Sequence, residues 1–145
     1  MARIRDTVTP DLFRVPQPAP VAEGSLNFAI ELRALLSQVL KDCPHNRYQV
    51  AARMSELLGI DVSKHQLDAW TAESREPWRF PLEYLVPFEV ACETVRLTEW
   101  LAAKRGGQVL FGREALTAEL GRLQRMNDET QRQIRALRKS MEEEG

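Results

Sequence analysis

LTAELGRLQRMNDETQRQIRALRKSM, residues 116–141, decides the architecture of this chain. Within it Leu116, Leu120, Leu123, Asn127, Thr130, Ile134, Leu137 and Met141 alternate four and three apart. That is the 3.5-residue period of a seam along which two helices wind around each other. With Leu120, Asn127, Ile134 and Met141 at a positions, the polar Asn127 gives up some stability to fix register, and in a parallel pair it favours two strands. The flanking e and g positions include Gln124, Met126, Gln131, Gln133, Arg138 and Ser140, so little charge opposes pairing with an identical helix. The stretch therefore predicts a C-terminal coiled-coil helix over residues 113–145 and a parallel homodimer. The same stripe also fits a long amphipathic helix lying on its own domain. Glu142, Glu143 and Glu144 crowd a helix C-terminus, where the macrodipole disfavours negative charge, so fraying beyond Met141 is expected. Opposite the seam, Arg125, Arg132 and Lys139 form a basic streak, which is either a solvated outer face or a surface for phosphate or an acidic partner.

Residues 25–112, immediately upstream, carry apolar residues at helical spacing. Phe28, Leu32, Leu35, Leu36, Val39 and Leu40 line a first helix that Ser25 is placed to N-cap, and Asp42, Pro44 and Asn46 break it. Asn46 with Gln49 reads as a capping box for a second helix with Val50, Ala51, Met54, Leu57 and Leu58 inside, stopped by Gly59. Ser63 with Gln66 reads as another, opening a third helix with Leu67 and Trp70 turned inward and an end near Ser74. Pro81 suits the first position of a fourth helix, and Thr98 the cap of a fifth over Glu99–Arg105, closed by Gly106 and Gly107. Trp100 is expected in the core, and Gln108–Phe111 reads as extended, a candidate strand. The whole is all-α: a five-helix domain of helix-turn-helix type with a long C-terminal coiled-coil helix. Residues 1–24 hold four prolines and no sustained period, and read as a disordered arm. Its apolar knot, Leu12 and Phe13 with Val15, is a candidate docking peptide or a loose pack onto the domain.

Function is most readable from Asn46 to Ser74. A DNA-reading helix-turn-helix needs a supporting helix, a tight turn, and a second helix that is apolar inside and hydrogen-bonding outside. Ser63, Lys64, His65, Gln66 and Thr71 would face away from Leu67 and Trp70. Gln66 suits bidentate pairing with adenine, Lys64 guanine or phosphate, and Ser63 phosphate at the helix start, while Arg75 and Arg79 suit backbone clamps. Against this, Asp68 on the same face would repel phosphate, and Gly59 falls early, implying a longer turn than usual. An ordinary helix pair with a solvated polar face carries the same residues. Trp78 and Phe80 fit either an exposed stacking pair or anchors for their loop.

The stretch LDAWTAESREPWRFPLEYLVPFEVACETVRLTEWLAAKRGGQVL, residues 67–110, resembles phage regulators of the CII and Cro types, in which a reading helix ending in tryptophan precedes a proline-led helix and an LxxWLAxxxGG helix. The chain as a whole is similar to small early-region proteins of Mu-like transposable phages. The resemblance implies an early regulatory or transposition-accessory role, with phage transposition or host proteins as partners. It puts Ser63, Lys64, His65, Gln66 and Thr71 on the reading helix and makes Trp70, Trp100 and Leu101 structural.

Composition sets bounds on all of this. At 145 residues the chain holds one globular domain with appendages. Its formal charge is −1, and residues 1–24 and 113–145 are each neutral, so affinity for double-stranded DNA must come from local placement and dimerisation rather than bulk basicity. Cys43 and Cys92 stand far apart in sequence, outside any metal-ligand spacing, and both are expected to be reduced and structural. No Gly-rich phosphate cradle, carboxylate pair or nucleophile with a base is legible, so no enzyme, cofactor or metal is expected. The N-terminus lacks a signal-like apolar region and no stretch reaches membrane-spanning length, which predicts a cytoplasmic protein without a membrane partner.

Overall fold

The computed structural model describes residues 16–75 and 77–145; Leu12 and Phe13 lie outside the described residues. The protein is all-helical. Six α-helices follow one another among the described residues: α1 Ala29–Asp42, α2 Arg47–Leu58, α3 Lys64–Thr71, α4 Leu85–Cys92, α5 Arg96–Lys104 and α6 Arg113–Glu143, with 3₁₀ turns at Glu73–Arg75 and Leu82–Tyr84. They fall into two compact units, the first holding α1 to α5 and ending at residue 108, the second spanning residues 109–145.

The first unit is built around one core. Leu36, Val39 and Leu40 of α1 meet Val50, Ala51 and Met54 of α2, Leu67 and Trp70 of α3, Phe88 and Ala91 of α4 and Leu97 of α5. Trp70 extends this core into an aromatic cluster, with edge-on contacts to Phe80 at 5.2 Å and Tyr84 at 5.6 Å, while Phe80 meets Phe88 at 5.6 Å. Phe80 thus anchors its loop, and Trp78 remains half-exposed.

Both anticipated capping boxes are present. Gln49 N–H donates to Asn46 Oδ1 at 3.0 Å while Asn46 N–H donates to Gln49 Oε1 at 2.9 Å. Gln66 N–H donates to Ser63 Oγ at 3.2 Å while Ser63 N–H donates to Gln66 Oε1 at 2.8 Å. Each box satisfies two N–H groups that the first helical turn leaves unpaired. Gly59 ends α2 at φ 70°, a left-handed conformation that glycine adopts without a Cβ penalty, and its N–H bonds Ser55 O.

Several local expectations are corrected. Ser25 does not cap α1: its hydroxyl bonds the carbonyls of Ala22 and Pro20, and α1 starts at Ala29 without a side-chain cap. The third helix stops at Thr71 rather than Ser74 and gives way to the 3₁₀ turn. Pro81 precedes a 3₁₀ turn instead of opening an α-helix, and Pro87 falls in the first turn of α4, where its missing N–H has no intrahelical partner to lose. Thr98 is not the cap of α5, which begins at Arg96. The buried Glu89 side chain takes that role, accepting from Thr98 N–H at 2.7 Å and from its hydroxyl at 2.8 Å. Trp100 lies at the core's edge, partly exposed, donating Nε1–H to Glu31 at 2.7 Å. Gln108–Phe111 forms no strand.

Part of the proline-rich stretch packs onto the first unit. Ala19 N–H donates to Lys104 O at 2.9 Å, and a Cβ at Gly106 would stand 3.0 Å from Pro18 Cδ. With φ +74° as well, Gly106 is the residue that lets this segment approach the end of α5.

The second unit is dominated by α6, a helix of 31 residues with none buried. Its seam side chains stand open, from 41% exposure at Ile134 to 72% at Leu116 and Met141. The basic streak is partly neutralised along the helix, Arg132 lying 3.8 Å from Glu129 and Lys139 3.8 Å from Glu143.

Candidate nucleic-acid interface

Helices α2 and α3 are joined by residues 59–63, a five-residue connection where helix-turn-helix units commonly use three or four. Ser55 fixes this longer turn. Its Oγ accepts from Val62 N–H at 2.8 Å, and its hydroxyl lies within reach of the carbonyls of Ala51 at 2.8 Å and Val62 at 3.1 Å, so the end of the turn is tied to α2. Val62 is buried and ties the turn to the core.

The C-terminal end of α3 is held by a residue the sequence did not single out. Arg33, on α1 and only 7% exposed, donates Nη1–H to Ala69 O at 3.3 Å and Ala72 O at 2.9 Å, and Nη2–H to Arg75 O at 3.0 Å and Trp78 O at 2.7 Å. The last carbonyls of a helix lack intrahelical donors, and a cation there also complements the helix dipole. Arg33 supplies both, so α3 is fixed at each end.

Two side-chain clusters flank the outer surface of α3. Along the edge facing α2, Lys64, Asp68 and Thr71 follow one another at i, i+4 and i+7. Lys64 Nζ lies 2.6 Å from Asp68 and 5.4 Å from the centre of the Tyr48 ring. Arg47, the first residue of α2, donates to Asp68 at 2.8 Å and to Thr71 Oγ1 at 3.0 Å. Burial pushes the Asp68 carboxyl up, but hydrogen bonds and charge from Lys64 and Arg47 outweigh that and hold it below the usual carboxylate range. On the other edge, His65 meets Arg75 and Trp78. Arg75 Nη1 is 3.0 Å from His65 Nε2, which must accept since the guanidinium only donates, and the imidazole lies edge-on to Trp78 at 6.0 Å.

Of the residues expected to read DNA, Lys64 and Thr71 thus gather around Asp68, and His65 and Arg75 around Trp78. Arg79 is exposed beyond them. Ser63 and Gln66 are engaged in the capping box. Bidentate reading of adenine uses both the oxygen and the nitrogen of a carboxamide, and one lone pair of the Gln66 oxygen already accepts from Ser63 N–H, so Gln66 supports the start of α3 in this arrangement.

No protein family, curated protein or solved structure matches the chain. No group of three metal-ligating side chains occurs among the described residues, and no helix among them is long and apolar enough to cross a membrane. Arg47 and Tyr48 are the surface residues that sequence reasoning missed. Their positions at the start of α2, directly after the Asn46 cap, put Tyr48 against Lys64 at the start of α3 and Arg47 against Asp68 and Thr71 in its second half, a proximity that only the packing of α2 on α3 creates.

Proposed function

We propose that the protein is a dimeric DNA-binding regulator, transcriptional or transposition-accessory in role, in which α6 pairs in parallel with α6 of a second copy and α3 approaches DNA. The observation that carries this reading is the charge state of the α3 surface. Asp68, whose carboxylate would repel phosphate, is enclosed by Arg47 and Lys64, and Arg75 stands at the opposite edge, so cations outnumber the carboxylate in these two clusters. Locally placed cations of this kind can contact phosphate without bulk basicity. Capping at one end and Arg33 at the other give α3 the rigidity that base-edge contacts require. The bare heptad seam of α6 supports pairing, and two copies would present two α3 helices to two half-sites.

A second reading is favoured by the engagement of Gln66 in its cap and Lys64 with Asp68: an adaptor that dimerises through α6 and docks phage or host proteins, with Leu12 and Phe13 as a docking peptide. A binding titration separates the two. The purified protein is titrated against fragments of its neighbouring DNA and random DNA of equal length at several salt concentrations. Preferential binding weakened by Lys64→Ala or Arg75→Ala supports the regulator. Absence of binding at low salt by a folded dimer supports the adaptor.

A further inference from the structure

The two cysteines, remote in sequence, meet in the fold. Cys43 follows the last residue of α1 and Cys92 is the last residue of α4. Two polar contacts flank them on both sides: Asp42 takes Arg96 Nη1 at 2.7 Å, and His45 Nε2 lies 3.6 Å from Glu93. These contacts join the residues on either side of the two cysteines, and Cys43 packs against the core cluster that holds Cys92. Cys92 is buried in the core cluster, while Cys43 packs against that cluster and keeps part of its surface open to solvent. The His45 backbone N–H donates to Cys43 Sγ at 3.4 Å. Burial, and then the neighbouring Cys43 sulfur, push the Cys92 thiol up, and its buried position leaves Cys43 as the thiol that a solute reaches first.

We propose that Cys43 and Cys92 form a reversible disulfide within one chain when the protein meets a hydroperoxide, with Cys43 as the thiol attacked first and Cys92 as the resolving thiol. The Cys43 thiolate attacks the terminal peroxide oxygen and the O–O bond breaks, giving a sulfenic acid at Cys43 and releasing hydroxide from hydrogen peroxide, or alkoxide from an organic hydroperoxide, which takes up a proton as water or alcohol. The Cys92 sulfur then displaces the hydroxyl from Cys43, and the Cys92 proton leaves with it as water. Two thiols lose two electrons and the peroxide gains them. A buried Cys92 is reachable from Cys43 but not from a second protein molecule, which directs the bond within the chain. The closed loop contains all of α2 and α3, so the bond ties together the two ends of the segment carrying the α3 surface. Closing a loop of that length restricts the unfolded chain and raises the melting temperature.

The test treats the full-length folded protein with hydrogen peroxide, quenches it, and records intact mass, free thiols under denaturing conditions, and migration without reductant. The expected result is a monomer-length chain lighter by two hydrogens with no free thiol, a higher melting temperature, and full reversal by a dithiol reductant. Cys92→Ala is expected to stop at a Cys43 sulfenic acid that dimedone captures. A native chain that accumulates dimedone-reactive Cys43, links mainly between chains, or keeps both thiols overturns the proposal. The native chain's mass and thiol count decide this even if Cys92→Ala folds poorly.

Discussion

The Arg33 guanidinium on α1 donates to the Trp78 carbonyl at 2.7 Å, binding the first helix to the segment that follows α3. The same group takes the carbonyls of Ala72 and Arg75, so the path of the chain from α3 through the 3₁₀ turn is set by one buried cation. Replacing Arg33 by Met keeps the apolar stem, takes the donor from the Ala69 and Trp78 carbonyls and leaves those of Ala72 and Arg75 with their backbone partners alone, and is expected to cost at least about 2 kcal/mol. Urea unfolding measures it. A loss well under about 1 kcal/mol would show that water satisfies the carbonyls equally well.

Ser63→Ala removes the acceptor for Gln66 N–H at the start of α3 and is expected to cost about 1 kcal/mol. Gln66→Ala opens the other half of the box, so it weakens any DNA binding through disorder at the α3 start. Arg75→Ala should weaken binding with little change in the urea midpoint, whereas Lys64→Ala should weaken binding and also lose the modest stabilisation of its ion pair with Asp68. A Gln66→Ala variant that is as stable as the native chain yet has lost sequence preference would restore Gln66 as a base reader.

Leu123→Glu with Ile134→Lys places charge in an exposed seam. The fold of residues 16–108 should hold, as judged by an unchanged urea midpoint for the first unit, while self-association is lost. Tight DNA binding by the resulting monomer would break the proposed link between pairing and binding.

Asn127→Ile exchanges a polar a residue for an apolar one. Thermal melting of the coiled coil should shift upward while the preference for two strands weakens, giving mixed oligomers by light scattering. A lower melting temperature would place Asn127 outside an a position.

Asp68 gives a pH dependence with a defined sign. Its carboxyl is depressed in the folded protein relative to an unfolded value of about 3.9, so its contribution is fully present above that pH and is lost as pH falls through the folded value. The stability difference between native protein and Asp68→Asn should therefore be largest near neutrality and shrink below about pH 4. A difference that grows on acidification would contradict the Lys64 and Arg47 pairing.

What was legible in the sequence was local. The capping boxes at Asn46 and Ser63 and the stop at Gly59 each depend on residues within a turn of one another, and each forms. The long terminal helix followed from periodicity alone. Arg33 was illegible because its partners are backbone carbonyls 36 to 45 positions away, which carry no side-chain signature. Glu89 displaced Thr98 as the α5 cap for a similar reason: a buried carboxylate from α4 reaches N–H and hydroxyl together, which no spacing rule anticipates. Ser25 has the right chemistry for a cap, but a local turn with Ala22 and Pro20 claimed its hydroxyl first. Within the candidate interface, Lys64, His65 and Arg75 were identifiable by type. Their sorting into two clusters, and the neutralising of Asp68 by Arg47, required the packing of α2 on α3.

The central claim, that two chains pair through α6 and present α3 to DNA, is tested most directly by sedimentation of the purified protein alone and with a DNA fragment it binds. The expected result is a dimer alone and two chains per DNA site, both lost together in the Leu123→Glu, Ile134→Lys variant. A monomer that binds DNA as one chain per site, or a stable dimer with no measurable affinity at low salt, would contradict it.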